Sequence, residues 1–172
     1  MNRINFLLYA ALFLASCGNS SNKTPSENQA GNTTETVAEP EVVPTGDTVN
    51  VVLQSDDNMK FDKSEIRVKL GQTVKLTLKH IGTMPKTAMG HNFVLLKKGV
   101  DLAEFGNGCA TAKAPDYDIP YNLQKDVIIY TKMIGGGESD TIEFLTPPRG
   151  TYHFLCSFPG HYGMMNGVLI VE

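Results

Sequence analysis

The chain has 172 residues, 41% of them apolar, and 15 Lys and Arg against 18 Asp and Glu, so one core can form and the net charge is only −3. Glu27, Glu35, Glu39, Glu41, Asp47, Arg3 and Lys23 all precede residue 48, which leaves 13 acids and 13 bases in residues 48–172. A near-neutral segment of this kind lacks the concentrated basic face that nucleic acid requires, so no nucleic-acid partner is expected.

At the N-terminus, Arg3 and the apolar residues 6–14 have the proportions of a signal peptide and are too short to span a bilayer. They end in Leu14-Ala15-Ser16-Cys17, which resembles the bacterial lipoprotein cleavage box. In that class the cysteine becomes the mature N-terminus and carries several acyl chains, which anchor where one chain would not. Residues 1–17 are thus expected to be a lipoprotein signal peptide and lipobox, with Cys17 the lipidation site. Residues 18–47, built from Ser, Asn, Thr, Glu, Pro and Gly, have too little to bury to recover their ordering entropy, and are expected to form a disordered tether. This predicts an exported protein, held on the periplasmic side of a membrane in a Gram-negative bacterium.

From residue 48 the apolar period is two. Val49, Val51 and Leu53 alternate, then Ile66, Val68 and Leu70, then Val74, Leu76, Leu78 and His80. Further strands are predicted at 91–96, 127–131, 140–145, 152–156 and 167–171, separated by clusters such as Gly135-Gly136-Gly137 and Pro147-Pro148-Arg149-Gly150. About eight short strands with this punctuation predict an all-β fold, a two-sheet sandwich. Residues 100–123 interrupt the rhythm, and residues 100–105 are expected to be helical within a long flap.

Cys156-Ser157-Phe158-Pro159-Gly160-His161-Tyr162-Gly163-Met164-Met165 strings a thiol, an imidazole and a thioether along one loop. Pro159-Gly160 turns the chain so that His161 can face the thiol. Both Met164 and Met165 are candidate thioethers, and the spacing to Gly167 favours Met165. A second imidazole is available from His91, which follows Gly90 at the head of an apolar stretch. A thiolate, two imidazoles and a weak thioether suit copper cycling between its two oxidation states, whereas a structural zinc site closes with four strong ligands.

Met89-Gly90-His91-Asn92-Phe93-Val94-Leu95, Cys156-Ser157-Phe158-Pro159-Gly160-His161 and Met165-Asn166-Gly167 resemble the ligand segments of the azurins, of the cupredoxin (type 1 blue copper) family. Asn58-Met59-Lys60-Phe61 and Thr131-Lys132-Met133-Ile134-Gly135 extend the likeness over roughly residues 48–172. The resemblance implies a Greek-key β-sandwich with one copper ion, Cu(I) or Cu(II), per chain. The ligands it implies are His91 and His161 through Nδ1, the Cys156 thiolate and Met165 as a weak axial donor, with the Gly90 carbonyl opposite at long range. It further implies that Asn92 hydrogen-bonds toward the cysteine loop and that the Phe158 amide points at the sulfur. Electrons would leave at the His161 edge, through an apolar patch including Met59, Met89, Phe158 and Pro159, where redox protein partners dock weakly. Two departures stand out. Val49 and Gly71 occupy the places of a disulfide usual in azurins, and Phe93 stands where many have a buried tryptophan.

The remaining histidines, the second thiol and the acidic pair have plainer expected roles. His80 is expected to be a satisfied core histidine with a modest influence on pH dependence, His153 to be exposed, Cys109 to be a small buried thiol, and Asp56-Asp57 to be solvated charge. Two rival functions are a copper carrier with exchangeable donors and a thiol enzyme using Cys156 and His161, although no group to orient the histidine is evident.

Overall fold

The computed structural model describes residues 43–172. Cys17, the leader and most of the tether lie outside the described residues. Among the described residues nine strands form two sheets. In the first, β1 (Thr48–Asp56) lies between β2 (Lys60–Phe61) and β4 (Thr73–His80), and β7 (Ser139–Leu145) completes the order β2-β1-β4-β7. The second, in order β3-β9-β8-β5-β6, comprises β3 (Glu65–Val68), β5 (Val94–Leu96), β6 (Val127–Tyr130), β8 (Gly150–Leu155) and β9 (Asn166–Val171). β1 runs parallel to β4 and β3 parallel to β9, while the remaining pairs are antiparallel.

The alternation seen in the sequence becomes the inner faces of the sandwich. Leu53, Val74, Leu76, Leu78, Phe93, Leu95, Phe154 and Leu169 are fully buried in one cluster, with Val49 and Val51 packed at its edge. Phe93 and Phe154 meet at its centre, their ring centroids 5.2 Å apart. A smaller cluster beneath the flap joins Val94, Leu96 and Leu155 to Phe105, Cys109 and Ile119. Cys109 is therefore the buried small thiol expected, and burial pushes it up to about 11, far from a reactive thiolate.

Two of the differences from the sequence reading have a clear physical cause. The flap helix, α2 (Leu102–Gly108), begins later than expected because Asp101 caps it, its carboxylate accepting the Glu104 N–H at 2.7 Å. The strand expected from residue 91 begins only at Val94. His91 instead forms an isolated bridge to Ile134, and the Phe93 N–H is taken by the Thr131 hydroxyl at 2.9 Å. The ladder yields here to side-chain hydrogen bonding.

At Gly71 the incoming chain is strapped to the start of β4. The Thr45 amide and hydroxyl both donate to the Gly71 carbonyl, at 2.8 and 3.0 Å, and the Thr73 N–H donates to Asp47 at 2.8 Å. Gly71 adopts φ +84°, and a Cβ there would lie 2.7 Å from the Val43 carbonyl. Cysteine could not replace it without moving this strap. Gly71→Ala is expected to cost about 2 kcal/mol in urea unfolding, combining left-handed strain with the clash. A neutral effect would mean that the strap does not hold in solution.

Candidate metal centre

Three pieces of chain converge at one end of the sandwich. The short helix α1 (Lys86–Met89) ends at Gly90 and delivers His91. Cys156 follows the last residue of β8, and its N–H donates to the Met165 carbonyl at 2.9 Å, closing the loop between β8 and β9. Inside that loop Gly160, at φ +85°, turns the chain, and the His161 carbonyl then accepts the Met164 and Met165 amides at 3.0 and 2.9 Å.

The result is a buried group of His91, Cys156 and His161 whose donor atoms lie within 4.8 Å of one another. Cys156 Sγ is 3.9 Å from His91 Nδ1 and 3.8 Å from His161 Nδ1. A metal bonded at about 2.0–2.1 Å to nitrogen and about 2.3 Å to sulfur, with trigonal angles, separates those atoms by about 3.8 Å. The donor set therefore has the spacing of one metal ion. His91 and Cys156 are fully buried and His161 retains 4% exposure.

The surroundings orient these donors. His91 Nε2 donates to the Asp56 carbonyl at 2.9 Å; since a carbonyl only accepts, Nε2 carries the proton and Nδ1 keeps its lone pair toward the sulfur. Asn92 makes a two-way contact with the residue after the cysteine. Its Oδ1 accepts the Ser157 amide and its Nδ2 donates to the Ser157 hydroxyl, both at 2.8 Å. The backbone amides of Asn92 and Phe158 both point at the sulfur and favour its thiolate, although burial dominates and pushes the thiol up to about 12. The Gly90 carbonyl lies 3.8 Å from the sulfur, and a side chain at Gly90 would strike the Lys86 carbonyl at 2.6 Å and Met133 at 3.0 Å. Of the two candidate thioethers Met165 is fully buried, whereas Met164 is 60% exposed.

His80 is satisfied in the core, its Nδ1 accepting the Gly82 N–H at 3.1 Å and its Nε2 donating to the Met89 carbonyl at 2.9 Å. Its ring stacks on that of His91 with centroids 4.4 Å apart. His153 is exposed on β8. At the outer edge Phe158 packs on His161 at 4.4 Å, and Met59, Met89 and Pro159 are half-buried, with Met59 in a left-handed turn at φ +57°.

Asp57 corrects the reading of the acidic pair as solvated charge. Its carboxylate accepts the Thr83 and Met84 amides at 2.8 and 3.2 Å and so fastens the loop before α1, and these bonds hold it below the usual carboxylate range. The Asp56 carbonyl was missed as well, because a backbone acceptor leaves no mark in a sequence. Ser157 could have been found, since a hydroxyl beside a ligand cysteine is a natural partner for Asn92.

Burial, with His91 nearby as a lesser cause, pushes His161 down to about 4, and burial pushes His91 in the same direction. Between pH 6.5 and 4 the unfolded chain binds a proton that the fold refuses, so stability falls as pH falls through that window. Metal-free protein should lose about 2–3 kcal/mol there, and His161→Gln should flatten the profile in pH-dependent urea melts.

Residues 47–172 match the family model for copper binding proteins of the plastocyanin/azurin family. The outer membrane protein H.8 of Neisseria gonorrhoeae is 41% identical over 119 residues, 67% of this chain and 63% of that protein, so the chain spans less than two thirds of that relative's length. The azurin of Achromobacter denitrificans is 41% identical over 122 residues, 68% of this chain and 80% of the azurin. A dithionite-reduced auracyanin from Roseiflexus castenholzii superposes with a TM-score of 0.64 at 37% identity, covering 74% of this chain and 99% of its own. The chain belongs to the plastocyanin/azurin family of copper-binding proteins. Its fold is the cupredoxin sandwich, and its His–Cys–His group marks the place for one copper ion per chain.

Proposed function

We propose that this protein is a type 1 blue copper electron carrier, with His91, His161 and Cys156 as the strong ligands, Met165 as a weak thioether donor and the Gly90 carbonyl at longer range. The observation that carries this reading is the pair of Nδ1–sulfur separations, 3.9 and 3.8 Å, within a buried donor set. Copper supplies a one-electron couple whose two states are served by soft sulfur and by imidazole. The chain's own part is to keep the donors still. The Asp56 carbonyl fixes His91, Asn92 braces the cysteine loop, and the amides of Asn92 and Phe158 hydrogen-bond the sulfur and so help to set the potential.

Electrons are exchanged at the edge of His161, where Met59, Met89, Phe158 and Pro159 offer an apolar surface to weakly docking redox partners. Lipidated Cys17 and a tether of residues 18–47 would hold the 48–172 domain to a membrane on the periplasmic side, a reading supported by similarity to a protein named for the outer membrane. Catalysis by the thiol is disfavoured by its complete burial and raised pKa, the reverse of a reactive cysteine's setting.

Direct voltammetry of the copper-loaded chain, paired with chelator challenge in both oxidation states, tests this assignment. A reversible one-electron couple with slow copper loss is expected. Rapid loss in both states would make the protein a copper carrier instead.

Asn92→Ala is expected to cost about 2–3 kcal/mol, because it leaves the buried Ser157 amide and hydroxyl short of a partner, and to shift the potential; chemical denaturation and voltammetry read the two effects.

A further inference from the structure

The flap reaches the copper end of the molecule through two adjacent residues, Asp116 and Tyr117. Asp116 accepts Lys86 Nζ at 2.7 Å, and the Tyr117 hydroxyl donates to the Thr87 carbonyl at 2.9 Å. Both contacts fall on α1, the helix that leads into Gly90 and His91. The face of the Tyr117 ring packs on Phe158 at 4.5 Å, and Phe158 in turn packs on His161 at 4.4 Å. Tyr117 holds a left-handed backbone, φ +49°, which a bulky residue adopts only where its surroundings over-determine it.

We infer that Tyr117 is a positioning residue: with Asp116 it forms an external latch that ties the segment delivering His91 to the loop delivering Cys156 and His161. The inference rests on the copper-site assignment above. The latch has two grips. Each covers a different failure. The bonds to Lys86 and Thr87 keep α1 from lifting, and the ring on Phe158 keeps the amide of that residue aimed at the Cys156 sulfur. The same two residues also line a cleft of about 330 Å³ that runs inward to Asn92, so losing the latch would admit water toward the Asn92–Ser157 bonds. The latch thus serves two ends, stillness of the donors during electron exchange and retention of the ion.

Tyr117→Asn is the test, since Asn tolerates the left-handed backbone while removing both ring and hydroxyl. Hydrogen exchange of the Phe158 amide in metal-free protein reports on the latch without copper, and should accelerate about tenfold or more while core amides such as Leu76 keep their parental rates. In the copper-loaded protein, release to a chelator should accelerate by about tenfold and the visible spectrum should shift; Tyr117→Phe, which keeps the ring contact and loses the bond to Thr87, should fall between the parent and Tyr117→Asn in both. Lys86→Gln gives a second route if Tyr117→Asn folds poorly, with a smaller acceleration at Phe158. Phe158 exchange within twofold of the parent in both variants would overturn the latch. So would a Tyr117→Phe variant that matches the parent in both copper release and spectrum, since it has lost the bond to Thr87. If exchange accelerates as expected but the protein holds no copper, the latch stands and the copper assignment fails.

Discussion

Cys156→Ser should leave the fold standing and abolish the intense visible band of the copper-loaded protein. The sulfur sits at the centre of the donor group, 3.8–3.9 Å from each Nδ1 and from the Gly90 carbonyl, with two backbone amides directed at it. Oxygen is a harder and poorer donor than thiolate, so charge transfer from ligand to copper should weaken by roughly tenfold or more and Cu(I) should be held less well. Stability of the metal-free form should change little or rise, because a hydroxyl can accept the same two amides. Absorption spectroscopy at one copper per chain reads the first effect and urea unfolding the second. A variant as coloured as the parent would assign the thiolate ligand elsewhere, to Cys109 among the described residues.

Phe93→Ala should have the largest effect on stability. Phe93 is fully buried, packs at a tilt against Phe154 at 5.2 Å and lies one residue beyond Asn92, so it joins the core to the copper loop. Truncation of such a ring costs about 3–5 kcal/mol, a large part of the about 5–15 kcal/mol that stabilises a domain. The thermal midpoint should fall by roughly 10 °C or more, and copper retention should suffer with it. A loss below about 1 kcal/mol would show that the neighbouring side chains refill the space, and that the ring is not the centre of the core.

The sandwich was legible because alternation is a direct imprint of burial on one face. Leu76 and Leu78 point inward and Lys75 and Lys79 outward, and any strand carrying that pattern has only one sensible orientation. The donors were legible for a different reason: a thiol, an imidazole and a thioether crowded into ten residues have few other uses. What stayed hidden depended on the backbone. Nothing in residues 91–93 announces that His91 will bridge to Ile134 rather than join a continuous ladder, since that outcome follows from the Thr131 hydroxyl taking the Phe93 amide. The Asp56 carbonyl that orients His91 belongs to a residue whose side chain suggested only solvation. Tyr117 was invisible because its two contacts, Thr87 and Phe158, lie 30 and 41 residues away in opposite directions, and it sits in a stretch with no period to follow.

Copper-edge X-ray absorption of the full chain at one equivalent of copper tests the assignment of these ligands most directly. One sulfur near 2.3 Å and two imidazole nitrogens near 2.0–2.1 Å are expected, about the lengths that a trigonal site of this spacing requires. A shell of nitrogen and oxygen alone, or two short sulfurs, would contradict it.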